Sequence, residues 1–248
     1  MLHIIYRTCG GEDTREEHKR HRRHKGDGPA PFERTEWFDK AAYFKSVAQE
    51  IDDAVRITVV YDGDRPRLRE HLRREWVGRD PMRFAFHQIQ ANDNRQSLLE
   101  CYRLADADGA SEYLYFLEDD YLHRPGWLRV LREGFATLPE DAVITLYDHR
   151  DRYRRTDDVT AGQESIRLSA STHWRTAEST TCTWAIRRSL WPRIRATVLQ
   201  GALRDREVFR SLRERGIRLW QPIPGYSTHD HVKHLSPLVD WRAVRERL

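Results

Sequence analysis

Two hydrophobic periods take turns along this chain. His3–Tyr6 forms a first short apolar run and predicts a strand. Glu33–Ile51 places Trp37, Ala41, Phe44, Val47, Ala48 and Ile51 at helical spacing. Arg56–Tyr61 is a β-branched run closed by Asp62-Gly63-Asp64, which predicts a strand with a turn at its C-terminal end. Pro66–Trp76 reads as helix, and Arg83–Ile89 as a weakly alternating strand. Ser97–Ala107 is a helix with Leu98, Leu99, Tyr102 and Leu104 as its apolar positions. Glu112–Leu117 is the clearest strand, and it runs straight into Glu118-Asp119-Asp120. Pro125 and Gly126 open a helix over Trp127–Thr137, and Asp141–Tyr147 follows as a strand. Thr181–Ile186 reads as strand, Ser189–Leu199 as helix, Asp205–Arg215 as a helix stopped by Gly216, and Ile217–Gln221 as a short strand. Gly10–Pro31 has no period and predicts a long loop; Asp148–Gln163 is charged and irregular. The tail from Pro222 reads mostly as loop, with a last helix from Asp240.

Such alternation predicts an α/β fold, a mostly parallel Rossmann-like central sheet with helices on both faces. In sheets of this kind ligands bind outside the carboxyl ends of the strands. Asp62 and the Glu118-Asp119-Asp120 cluster should therefore face one crevice.

Composition narrows the class. With 248 residues, 39% hydrophobic and 33% charged, the chain can bury a large core yet carries no apolar run long enough to span a membrane. Its N-terminus is too short and polar for a signal peptide. Cys9, Cys101 and Cys182 are far apart and lack metal spacing, which reads as free thiols in a reducing cytoplasm. The net charge of +4 is concentrated visibly in His18–Lys25, H-K-R-H-R-R-H-K. That run could grip an anionic partner or simply be a solvated loop. No P-loop, GxGxxG, serine elbow or zinc pattern appears.

Three consecutive carboxylates after an apolar strand repel one another. A divalent cation removes that cost, and Mg²⁺ or Mn²⁺ takes one or two carboxylates plus substrate phosphates. The alternative is a solvated loop with a helix cap behind it. The segment Leu114–Asp120 with its Pro/Gly-opened helix resembles the DxD segment of GT-A fold nucleotide-sugar glycosyltransferases, family-2-like, with Glu118 in place of the first Asp. The resemblance implies a single domain over 1–248, with a nucleotide-binding half of about 1–122 and an acceptor-binding half of about 123–248. It implies Asp120 as direct metal ligand, with Glu118 and His229 beside it. Asp119 would contact the ribose or the metal's water shell. Arg7, Thr8, Asp62, Asn94 and Arg95 would grip the nucleotide and diphosphate.

Asp205–Gly216 resembles the family's acidic helix, in which a residue eleven positions before the Gly is the base of inverting members; Asp205 falls there. Arg204 replaces the usual preceding Glu, and Glu207 is a possible substitute. The loop Pro222–His231 resembles the family's Pro-rich loop ending in a metal-contacting His, with His229 first and His231 and His234 as competitors. Trp174 and Trp184 could stack on an acceptor or be core. The implied activity is transfer of a sugar, from a UDP-sugar by family habit and with Mn²⁺ or Mg²⁺, to a hydroxyl acceptor that could be a glycan, a small molecule or modified DNA. Two rivals remain: a metal-dependent nuclease or phosphoesterase, and a non-catalytic polyanion-binding module.

Overall fold

A computed structural model describes residues 1–10, 33–153 and 164–248; the basic run His18–Lys25 lies outside them. In chain order the elements are β1 (Leu2–Cys9), α1 (Lys40–Ala48), β2 (Val55–Asp62), α2 (Pro66–Leu72), β3 (Phe84–Ile89), α3 (Asn94–Ala107), β4 (Tyr113–Glu118), β5 (Tyr121–His123), α4 (Trp127–Thr137) and β6 (Val143–Ile144). There follow β7 (Ile166–Leu168), β8 (His173–Ala177), β9 (Trp184–Arg187), α5 (Trp191–Gln200), α6 (Asp205–Glu214), β10 (Leu219–Ile223), β11 (Ser227–His229) and α7 (Trp241–Glu246).

Nine strands form one sheet in the order β3-β2-β1-β4-β9-β6-β10-β8-β7. The first four are parallel, β9 runs against both β4 and β6, and β10 is again parallel to β6. Successive side chains of the central strands enter opposite layers, as strand geometry requires. Ile4, Tyr6, Tyr115 and Leu117 pack with Phe44 of α1, Leu68 of α2 and Trp127 of α4. Ile5, Leu114 and Phe116 pack on the other face with Leu98 and Tyr102 of α3, Trp191 of α5 and Phe209 of α6. Both faces are covered, which is why these strands read as continuous apolar runs. Burying each large apolar side chain contributes about 1.5–3 kcal/mol.

The structure shortens some predicted elements. α1 begins at Lys40, not Glu33, because the Asp39 carboxylate caps it, accepting from the Ala41 and Ala42 N–H groups at 2.9 and 3.3 Å. The segment before it is drawn elsewhere: the Thr35 N–H donates to Asp230 at 2.7 Å. α3 starts earlier than expected, at Asn94, because Asp93 accepts from the Gln96 N–H at 2.8 Å. The predicted Asp141–Tyr147 strand contracts to Val143–Ile144. The tail from Pro222 is mostly loop with a last helix behind Asp240, as expected; what it adds is β11, which pairs antiparallel with β5.

Gly134 of α4 lies flat against the fully buried Trp174 indole, where a Cβ would come within 2.9 Å of two ring carbons. Alanine would gain roughly 1 kcal/mol of helix propensity. Overpacking against a rigid ring costs about 1–3 kcal/mol. Gly134→Ala should therefore lower stability in urea denaturation, by up to about 2 kcal/mol; a raised midpoint would contradict this packing.

Candidate active site

Strand register creates the cleft. β1 lies between β2 and β4, with Cys9 opposite Asp62 and Arg7 opposite Glu118. Three carboxyl ends thus stop along one line. Arg7, Thr8, Cys9, Asp62, Glu118, Asp119 and Asp120 line a cavity of about 690 Å³, together with Asn94 and Ser97 of α3, Asp205 of α6 and His229.

Each acid of the cluster has its own cation. Glu118 is paired with Arg7. Asp119 Oδ2 accepts from Thr8 Oγ1 at 2.6 Å and stands 2.9 Å from Lys40 Nζ. Asp120 Oδ2 accepts from Arg34 Nη1 at 2.9 Å and lies 3.0 Å from His229 Nε2. Burial pushes the Asp120 carboxyl up, but His229 and Arg34 outweigh it and hold it well below the usual carboxylate range. The repulsion among the three carboxylates is thus met by protein charge.

His229 reaches Asp120 through a small device. β11 pairs with β5 so that His229 stands opposite Tyr121, the residue after Asp120. Its ring stacks on Tyr121 at 5.2 Å between centroids and 16° between planes. The next residue, buried Asp230, accepts from the Thr35 N–H and hydroxyl at 2.7 and 2.6 Å and from the Tyr43 hydroxyl. Arg34 in turn donates to the Asp230 carbonyl at 2.7 Å. Two adjacent residues of the C-terminal loop therefore place both partners of Asp120.

The donor set can be tested for a divalent cation. Asp120 Oδ1 is buried and has no hydrogen-bond partner among the described residues. Its other oxygen meets an imidazole nitrogen, and Asp119 adjoins. Oxygen donors with one imidazole suit Mn²⁺, and the oxygens alone suit Mg²⁺. Asp120 and His229 fit such an ion. Glu118 lines the same cavity and is paired with Arg7.

No family model and no curated protein matches the sequence. Among solved structures, GalNAc-T7 with UDP, GalNAc and Mn²⁺ superposes with a TM-score of 0.59 at 9% identity, covering 92% of this chain and 43% of that one. The chain has the GT-A fold. It spans less than half the length of that structure. Looser likenesses are a mannosyltransferase from Pyrobaculum calidifontis in complex with GDP-Man and Mn²⁺ (TM-score 0.48, 16% identity, 88% of this chain and 53% of that) and a nucleotidyl transferase from Methanothermobacter thermautotroptrophicus (TM-score 0.48, 14%, 100% and 97%).

Within this GT-A cleft the sequence-predicted residues divide. Arg7, Thr8, Asp62, Asn94, Asp119, Asp120, Asp205 and His229 all line it. Asn94 and Arg7 are bonded to each other, the Asn94 carbonyl accepting from Arg7 Nη1 at 2.9 Å. Asp62 Oδ1 accepts from the Asn92 N–H at 2.9 Å and so fixes the turn before α3. Arg95 is exposed and does not line the cleft, because it lies about 100° around the helix from Asn94. Glu207 is likewise turned away, about 200° from Asp205, and pairs with Arg204 at 2.9 Å. Neither lines the cavity. Trp174 and Trp184 are core residues, not an acceptor platform.

Arg34, Lys40, Cys182 and Asp230 were missed. Lys40 did carry a signal: a cation in the first turn opposes the helix dipole and so needs a reason. Its ammonium donates to the Cys9 carbonyl at 2.9 Å and neutralises Asp119.

Asp205 sits at the start of α6 and accepts from Cys182 Sγ at 3.4 Å. Burial raises its carboxyl above the usual value, against that hydrogen bond. A carboxyl raised in the fold costs stability once the pH exceeds its unfolded value near about 3.9. Asparagine avoids that cost and can still accept from Cys182, while Glu207 continues to serve the dipole. Asp205→Asn should therefore melt higher than wild type at pH 7, with the gap closing below about pH 4. A lower Tm at pH 7 would contradict the sign.

Proposed function

We propose that the chain is a metal-dependent glycosyltransferase, moving a sugar from a nucleoside-diphosphate sugar, a UDP-sugar by the resemblance, to a hydroxyl acceptor with inversion. The observation that carries this reading is the buried, unpartnered oxygen of Asp120, on a residue that lines a cleft together with His229 and Asp205. Arg7, Thr8, Asp62, Asn94 and Asp119 form the nucleotide side of the cleft. Asp205 serves the acceptor half.

In this reading the acceptor hydroxyl gives its proton to the Asp205 carboxylate as its oxygen attacks C1 of the sugar. The C1–oxygen bond to the diphosphate breaks, and the nucleoside diphosphate departs with that electron pair. Burial suits Asp205 to the task, since a raised pKa makes the carboxylate a stronger base. Arg34 and Lys40 place positive charge beside the leaving group. Mn²⁺ or Mg²⁺ held by Asp120 and His229 would neutralise charge developing on the diphosphate.

The product decides between this reaction and nucleotidyl transfer, which breaks a different phosphate bond. A panel of nucleotide sugars with Mn²⁺, with water or added glycans as acceptor, should release nucleoside diphosphate. Asp205→Asn should lower kcat by about 10²- to 10⁴-fold with little change in KM. Release of pyrophosphate from a nucleoside triphosphate and a sugar phosphate, without any nucleoside diphosphate, would replace the reading with a nucleotidyltransferase.

A further inference from the structure

A second group of side chains able to ligate a metal lies on the segments that follow β6 and β11. His149 follows β6, Asp151 stands in the short helical turn Arg150–Tyr153, and His234 follows β11. One donor atom from each lies within 4.8 Å of the other two. His149 Nδ1 and Asp151 Oδ2 are 3.5 Å apart. Ligand atoms on a tetrahedral zinc with bonds of about 2.0–2.1 Å stand roughly 3.3 Å from one another. The first pair is already near that spacing, and His234 has to close by at most about 1.5 Å.

The scaffold holds the three in place. Tyr147 forms a bridge to Ser227, which ties the end of β6 to β11. Its hydroxyl donates to the His234 carbonyl at 2.6 Å, and its ring meets the His149 ring at 5.2 Å. The Asp151 N–H donates to His149 Nδ1 at 3.1 Å, so that nitrogen is unprotonated, and an ion binding it would take the place of this hydrogen bond. All three side chains are half-buried, which leaves an approach for an ion. The Tyr147 ring also packs edge-on against His229, 6.4 Å between centroids, and so stands between this group and Asp120. Separate ions on the two sides would not share a bridging carboxylate.

We propose that His149, Asp151 and His234 form a second metal site, for a zinc-type divalent cation, with the remaining coordination positions open to water or an incoming oxygen ligand. Two imidazoles and one carboxylate select Zn²⁺, Co²⁺ or Ni²⁺ over Mg²⁺ and Ca²⁺, whose preference is all-oxygen. Three protein ligands with an open position is the arrangement of a site that handles a ligand, whereas a structural zinc is closed by four. The site stands independently of the reaction assigned to the main cleft.

The test uses the full chain, stripped with chelator and dialysed against Zn²⁺ in excess Mg²⁺, with bound zinc measured by elemental analysis. Wild type and Asp120→Asn should each retain one zinc per chain. His149→Ala and Asp151→Ala should bind zinc more weakly by at least the roughly 10- to 100-fold that even an outer-shell partner is worth. Asp151 is substantially exposed, so its variant should fold, with a metal-free Tm and circular dichroism matching wild type. Co²⁺ in place of Zn²⁺ should give visible d–d bands in wild type that Asp151→Ala lacks. Wild type that retains no zinc, His149→Ala or Asp151→Ala that retains it undiminished, or loss of the ion on Asp120→Asn would each overturn the proposal.

Discussion

Neighbouring carboxylates repel, and this fold is arranged to bring a separate positive charge to each of three of them. β4 delivers Glu118, Asp119 and Asp120 to the edge of a sheet. Arg7 arrives from the adjacent strand, Lys40 from the first turn of α1, and Arg34 from the segment before it. That segment is pinned by Asp230, while His229 beside Asp230 faces Asp120. The N-terminal and C-terminal parts of the chain are thus joined at the cluster. The parallel register of β1 with β2 and β4 is the precondition, since it alone lines up the three strand ends.

This charge pattern has a consequence for a cation. An ion on the unpartnered oxygen of Asp120 would share that carboxylate with Arg34, and in the proposed reaction a negatively charged diphosphate would neutralise both. Cation and nucleotide would then favour one another's binding, in keeping with reciprocal linkage. Asp205 works in the opposite sense. It is a carboxyl kept under a burial cost with a thiol as its neighbour, the kind of local expense that function tends to retain.

The strand ending in Glu118-Asp119-Asp120 was legible because an apolar run closed by acids is a local pattern. α3 and α6 were legible from their periods, although Asp93 moved the start of one. His229 could be singled out from the Pro-rich loop, but the β11–β5 pairing that positions it could not, since three-residue strands are too short to show alternation. Arg34 and Asp230 were invisible because their meaning lies in contacts between residues 196 positions apart. The placement of Glu207 and Arg95 outside the cleft was hidden for a simpler reason: each is close in sequence to a cleft residue, and the helix turns it to the outside.

The central claim is that Asp120 and His229 form a metal-dependent nucleotide site. Calorimetric titration of UDP, GDP, CMP and dTDP, each with and without Mn²⁺, on wild type and Asp120→Ala tests it most directly. The account predicts that one nucleotide binds wild type tightly only when Mn²⁺ is present, and that Asp120→Ala abolishes the metal dependence. Binding that is equally tight without metal, or unaffected by Asp120→Ala, would contradict it.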